Sequence, residues 1–94
     1  MLETPVPSRE IRHARMKFRA WHRGTREADY LIGGYFDAFH LNWGEAECAW
    51  FEALIDEEDH DILAWALSAE PVPPRYAGPA MVRMQTLDYV DIAR

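Results

Sequence analysis

Trp21-His22-Arg23-Gly24-Thr25-Arg26-Glu27-Ala28-Asp29 places one glycine between two stretches of helical pattern. Gly24 is free to take positive φ and to let another backbone approach closely. Arg23 offers a planar fork of donors. Glu27 falls at the opening of the next helix, where exposed N–H groups favour negative charge. The segment therefore reads as a tight corner between two helices that carries both signs of charge. Such a corner suits docking better than catalysis.

Working outward, Ser8 is a candidate N-cap, and Ile11, Ala14, Phe18 and Trp21 recur at helical spacing behind it. This predicts an amphipathic first helix with that stripe inward and a basic outer face, ending near His22. The second helix starts at Gly24 or Thr25, with Ala28, Leu31, Ile32, Tyr35, Phe36 and Phe39 as its apolar face. Gly33-Gly34 sits inside it at about 1 kcal/mol each relative to alanine; close packing by a neighbouring helix is the preferred reason, with a local kink as the alternative.

Asn42-Trp43-Gly44 marks a turn. Glu45 to Ile55 then reads as a third helix with Ala46, Ala49, Trp50, Ala53 and Leu54 inward. Asp56 to Asp59 interrupt the pattern, and Asp59 or Asp61 is expected to cap a short fourth helix carrying Ile62, Leu63, Trp65, Ala66 and Leu67. Pro71, Pro73 and Pro74 form a stiff linker. A last amphipathic piece runs from about Pro79 to Tyr89, with Met81, Val82, Met84 and Leu87. No alternating strand is evident. The expectation is an all-α protein: a small five-helix bundle forming a single domain over 8–94, behind a flexible tail at 1–7.

The 94 residues and an apolar fraction of 49% support one modest core. A single cysteine, Cys48, excludes an internal disulfide and a cysteine-based zinc site. No apolar run approaches the roughly 20 residues that span a bilayer. Met1 to Ser8 lack an apolar core and are too acidic for a presequence, so the expected location is the bacterial cytoplasm.

The net charge is −6, but its distribution is uneven. Residues 9–26 hold seven of the ten basic side chains against Glu10 alone, whereas Glu27 to Asp61 contain eleven acids and no Lys or Arg. That asymmetry favours docking to an acidic protein surface first and internal charge pairing second. Nucleic-acid binding through Phe18, Trp21 and the basic residues is a distant third.

The residues argue against several chemistries. His13, His22, His40 and His60 show no metal-binding spacing. The acidic run Asp56 to Asp61 lacks the glycine and terminal glutamate of a calcium loop. Cys48 has no neighbouring cation to activate it and reads as a buried, inert thiol. Phe51 and Trp65 read as core aromatics. No nucleophile–base–acid set is present, so the chain does not read as an enzyme.

The corner also carries a resemblance. Arg-Gly-x-x-Glu after a basic first helix resembles the motif of the FAD assembly factors of succinate dehydrogenase, the SdhE family. Phe51 to Trp65, an apolar helix end followed by an acidic turn and a short helix ending in tryptophan, resembles that family's later block. The resemblance implies an assembly chaperone that binds the flavoprotein subunit of succinate dehydrogenase, or its fumarate reductase counterpart, and promotes covalent flavinylation with FAD. It implies that FAD is handled on the client and that the factor holds no cofactor stably. It maps the client contact onto Arg23, Gly24 and Glu27, with Arg26 and Asp29 as neighbours. From spacing alone, Glu27 would instead pair with Arg23 at i,i+4. A monomer is expected. The rival readings are an antitoxin and a general helical protein-binding adaptor.

Overall fold

The computed structural model describes residues 8–90, and the expected tail at 1–7 and the C-terminal 91–94, with Asp91, lie outside them. Among the described residues the chain forms five helices and no strand: α1 (Arg9–Trp21), α2 (Arg26–Phe39), α3 (Glu45–Leu54), α4 (Asp59–Ala66) and α5 (Pro79–Gln85). A 3-10 turn, His40–Asn42, follows α2. The all-α, five-helix expectation holds.

The boundaries follow local chemistry. The Ser8 hydroxyl accepts from the Ile11 amide at 3.1 Å, and the Thr25 hydroxyl accepts from the Ala28 amide at 3.2 Å, so both helices open on side-chain caps. At α3 the Glu47 carboxylate reaches back to the Gly44 amide at 3.0 Å. Neither Asp59 nor Asp61 caps α4. Glu58 holds the cap position without a side-chain bond, and both aspartates fall in the first turn. The fifth helix also stops earlier than expected: Thr86 ends it, and Leu87 takes positive φ.

The inward face of α2 is the expected one, with Ala28, Leu31, Ile32, Tyr35 and Phe36 buried and Phe39 packed at its edge. The inward face of α1 is not. His13, Met16 and Ala20 are buried, while Ile11 is 50% and Phe18 62% exposed. The apolar stripe expected in the core points to solvent, and only Trp21 of that set is partly buried. On α3 the buried residues are Cys48, Phe51 and Leu54, whereas Ala46, Ala49 and Ala53 are exposed. Alanine gains little from burial, so larger neighbours decide the face.

Two contacts show that α1 and α2 run antiparallel. At one end Trp21 lies on Gly33, where a Cβ would stand 2.3 Å from the indole Cδ2. At the other end the His13 and His40 rings meet, with their Nδ1 atoms 2.7 Å apart. Gly33 thus admits the neighbouring helix, as expected, while Gly34 faces Tyr89 at ordinary contact distance. Around this hairpin, Tyr35 stacks on Phe51 and its hydroxyl donates to the Ala80 carbonyl at 3.0 Å. Burial pushes the Tyr35 phenol up to about 12. Trp65 lies against Tyr76, and Gln85 donates to the Trp65 carbonyl at 3.0 Å, closing α5 onto α4.

Candidate functional site

The corner between α1 and α2 is built from two unlike sets of residues. Arg23 turns inward; its side chain is 9% exposed. Its Nε donates to Asp59 Oδ1 at 2.7 Å, and its terminal nitrogens donate to the carbonyls of Ile55 at 2.8 Å and Glu57 at 3.1 Å. One guanidinium therefore ties the end of α1 to the turn between α3 and α4, using the fork that a lysine lacks. The Arg23 amide in turn donates to Asp29 Oδ1 at 2.7 Å, which fixes the corner from the α2 side.

The i,i+4 pairing of Arg23 with Glu27 does not form. Arg23 lies before the Thr25 cap, outside α2, and its charge is taken by Asp59. Gly24 has φ +111°, in the region that side chains avoid, and a Cβ there would meet nothing within 4 Å. Glycine is needed for the turn of the chain, and the space above it is open. Arg26 and Glu27 are exposed, and among the described residues neither forms an ion pair. Of the five residues singled out in the sequence, Gly24, Arg26 and Glu27 thus face outward, while Arg23 and Asp29 brace them from within.

Two open grooves flank the corner. One of 630 Å³ runs between Trp21, His22, Gly24, Arg26 and Tyr30, and the Trp21 indole N–H is buried with no acceptor among the described residues. The other, of 600 Å³, lies between Phe18, Arg19 and His22 on one wall and the Asp56–His60 segment on the other. Asp59 belongs to the corner, and its sequence context shows only a possible cap, because its partner lies 36 positions away. The spacing of Phe18 places it in the core, whereas its ring is exposed and stacks on His22.

Most of the basic charge of residues 9–26 is matched inside the domain. Arg12 forks onto Glu45 and Glu52, Lys17 meets Asp37 at 3.4 Å, Arg19 meets Asp56, and Arg23 meets Asp59. The Arg12 hydrogen bond holds the Glu45 carboxyl below its usual range. Within the acidic turn, the Tyr76 hydroxyl and then Arg75 lower the Glu57 carboxyl in the same way. Internal pairing, ranked second from the sequence, accounts for most of the helix. Arg9, Arg15, Arg26 and Arg83 are left without an acidic partner among the described residues, although Arg9 donates to the His40 and Leu41 carbonyls and Arg83 lies over the Phe39 ring. Cys48 is buried 3.5 Å from His13 Nε2, and burial raises its thiol, as befits an inert residue.

Comparison with known proteins bears on the same elements. The model of the family described as "Sdh5: Flavinator of succinate dehydrogenase" matches residues 14–88, from within α1 through α5. The chain is 37% identical over 73 residues to "FAD assembly factor SdhE" of Acetobacter pasteurianus, covering 78% of this chain and 67% of that protein. It is 36% identical over 70 residues to "Succinate dehydrogenase assembly factor 2, mitochondrial" of Mycosarcoma maydis, covering 74% of this chain and 29% of the relative. The protein of the same description from Yarrowia lipolytica is 30% identical over 91 residues, 88% of this chain and 63% of its own length. The chain thus spans less than two thirds of these two mitochondrial relatives. With the corner, the acidic turn and all five helices inside or overlapping the matched span, this chain belongs to the Sdh5 family.

Proposed function

We propose that the protein is an assembly factor that binds the flavoprotein subunit of succinate dehydrogenase, or its fumarate reductase counterpart, and promotes covalent attachment of FAD to it. The observation that carries this reading is the family match over residues 14–88, which takes in a corner whose Gly24, Arg26 and Glu27 face outward. The factor acts by geometry. It holds client segments so that the client's own histidine meets the flavin, and such positioning can lower a barrier by several kcal/mol, roughly, without a catalytic group on the helper.

On this reading the protein is not itself an enzyme and does not retain FAD. The grooves beside the corner are open surface, and the one cysteine is buried with its thiol pushed up. Arg26 and Glu27 make the client contact, Gly24 sets the approach, and Arg23 and Asp29 act as positioning residues. The protein works as a monomer on the unassembled subunit in the bacterial cytoplasm. No helix among the described residues is long and apolar enough to cross a membrane.

The test is covalent flavin on the succinate dehydrogenase flavoprotein, read as in-gel fluorescence after denaturation, in cells with the gene, without it, and with Glu27→Ala. The expected result is loss in the deletion, restored by wild type and not by Glu27→Ala. Equal signal in all three strains overturns the proposal and moves the adaptor and antitoxin readings ahead.

A further inference from the structure

The first helix carries apolar groups on two opposite faces. His13, Met16 and Ala20 enter the core, and Ile11, Ala14 and Phe18 form a second stripe on the solvent side. Single exposed apolar residues are ordinary on a small protein. Here three share one face and line a common depression of 460 Å³ with the stems of Arg15 and Arg19. The stripe runs into the corner, because the Phe18 ring stacks on His22 with centroids 4.0 Å apart and His22 also lines the groove beside Gly24 and Arg26.

Charge indicates what covers this stripe. Arg12, Lys17, Arg19 and Arg23 are each matched by an acid of the domain. Arg15, one turn from both Ile11 and Phe18, and Arg26 at the corner have no acidic partner among the described residues. Arg9 and Arg83 have none either, but Arg9 donates to the His40 and Leu41 carbonyls, Arg83 lies over the Phe39 ring, and neither lines this depression. An occupant must therefore bring apolar side chains edged by carboxylates. A second copy of this chain would set one basic helix against another. An anionic bilayer or nucleic acid lying along Phe18 would meet Asp56, Glu57 and Glu58 on the far wall of the same groove. A folded protein surface can supply negative charge at Arg15 while leaving that wall free.

We infer that the outward face of α1, Ile11, Ala14 and Phe18 with Arg15, is a second docking surface, continuous with the corner. It takes an apolar, carboxylate-edged face of the flavoprotein client. This rests on the client reading above and extends it from a single corner to a strip reaching back along α1. The apolar stripe supplies affinity, and Arg15 and Arg26 supply orientation and encounter rate.

The test is the affinity of the purified full chain for the purified succinate dehydrogenase flavoprotein subunit. Phe18→Asp weakens binding by at least about tenfold, as for a centrally placed aromatic. Ile11→Gln weakens it by a smaller factor, and Arg15→Glu weakens it and flattens its dependence on salt. All three keep the wild-type circular dichroism and thermal midpoint, since the substituted side chains lie outside the core. Should Phe18→Asp lower the midpoint, Ile11→Gln and Arg15→Glu carry the test alone. Undiminished affinity in the folded variants, with Glu27→Ala still weakened, overturns this surface and leaves the client reading standing. No binding by the wild type overturns both. Undiminished client affinity, together with Phe18-dependent binding to phosphatidylglycerol vesicles or a short duplex DNA, reassigns the stripe to a membrane or nucleic acid and overturns the inference.

Discussion

Arg23 reaches across the molecule to Asp59, 36 positions further along the chain, and meets its carboxylate at 2.7 Å. The arginine of the corner motif is thus spent on the inside of the protein. What it offers a partner is indirect: the α1–α2 corner is held against the α3–α4 turn, so Gly24, Arg26 and Glu27 are presented on a fixed frame.

That brace gives a stability prediction with an internal contrast. Arg23→Ala strands the Asp59 carboxylate and two carbonyls, and is expected to cost about 3 kcal/mol, as for breaking a largely buried pair. Arg23→Lys recovers only part, since one ammonium cannot serve Asp59, Ile55 and Glu57 together. Glu27→Ala is expected to lie within about 0.5 kcal/mol of wild type. Urea titrations of the three variants at pH 7 decide it, and an unfolding midpoint for Arg23→Ala equal to that of wild type removes the brace.

Adjacent glycines in α2 are expected to respond in opposite directions to alanine. At Gly33 the new Cβ would collide with the Trp21 indole at 2.3 Å. The overpacking cost of about 1–3 kcal/mol then outweighs the gain in helix propensity of about 1 kcal/mol. At Gly34 the nearest atom is Tyr89 Cδ1 at 3.5 Å, so Gly34→Ala is neutral or stabilising. A Gly33→Ala variant as stable as Gly34→Ala would contradict the close approach of Trp21.

Acidification should loosen the far end of the same hairpin. Burial depresses both His13 and His40 below the ordinary imidazole value of 6.5, with Arg9 and Arg12 facing the first and Asp37 and Lys17 the second. Their Nδ1–Nδ1 contact needs one donor and one lone pair, so a second proton breaks it. Below 6.5 the unfolded chain binds protons that the folded state resists. Stability is therefore full above 6.5 and falls as the pH drops through the folded values. Chemical denaturation at pH 7.5 and 5.5, with the imidazole protons followed by NMR, checks the sign. A midpoint independent of pH would refute it.

Trp65→Ala probes the second half of the core. Trp65 is 8% exposed and lies against Tyr76 at 5.4 Å between ring centroids. A loss of about 3–5 kcal/mol is expected. A thermal midpoint that does not move would place Trp65 outside the core.

The sequence made α2 legible because its large apolar residues lie on one face only, so periodicity and burial agree. It misread α1 because that helix is apolar on two faces. Spacing cannot tell which of them is covered, and the covered one contains a histidine, a methionine and an alanine. On α3 the alanines supplied a false stripe, as residues with little surface to bury. The corner itself was evident from Gly24 and the change of helical pattern, but the division of labour within it was not. Arg23 had a local candidate partner in Glu27, and its choice of Asp59 depends on where the later helices pack. A one-dimensional pattern carries no record of that choice.

The Arg23 brace also bears on the order in which a newly made chain becomes competent. The whole motif has been synthesised once Asp29 is added, yet the carbonyls of Ile55 and Glu57 and the carboxylate of Asp59 belong to a part of the polypeptide still to come. A nascent or prematurely terminated copy ending within α3 carries every motif residue without the frame that presents them. Competence of the corner therefore arrives late in translation, once Asp59 has been added.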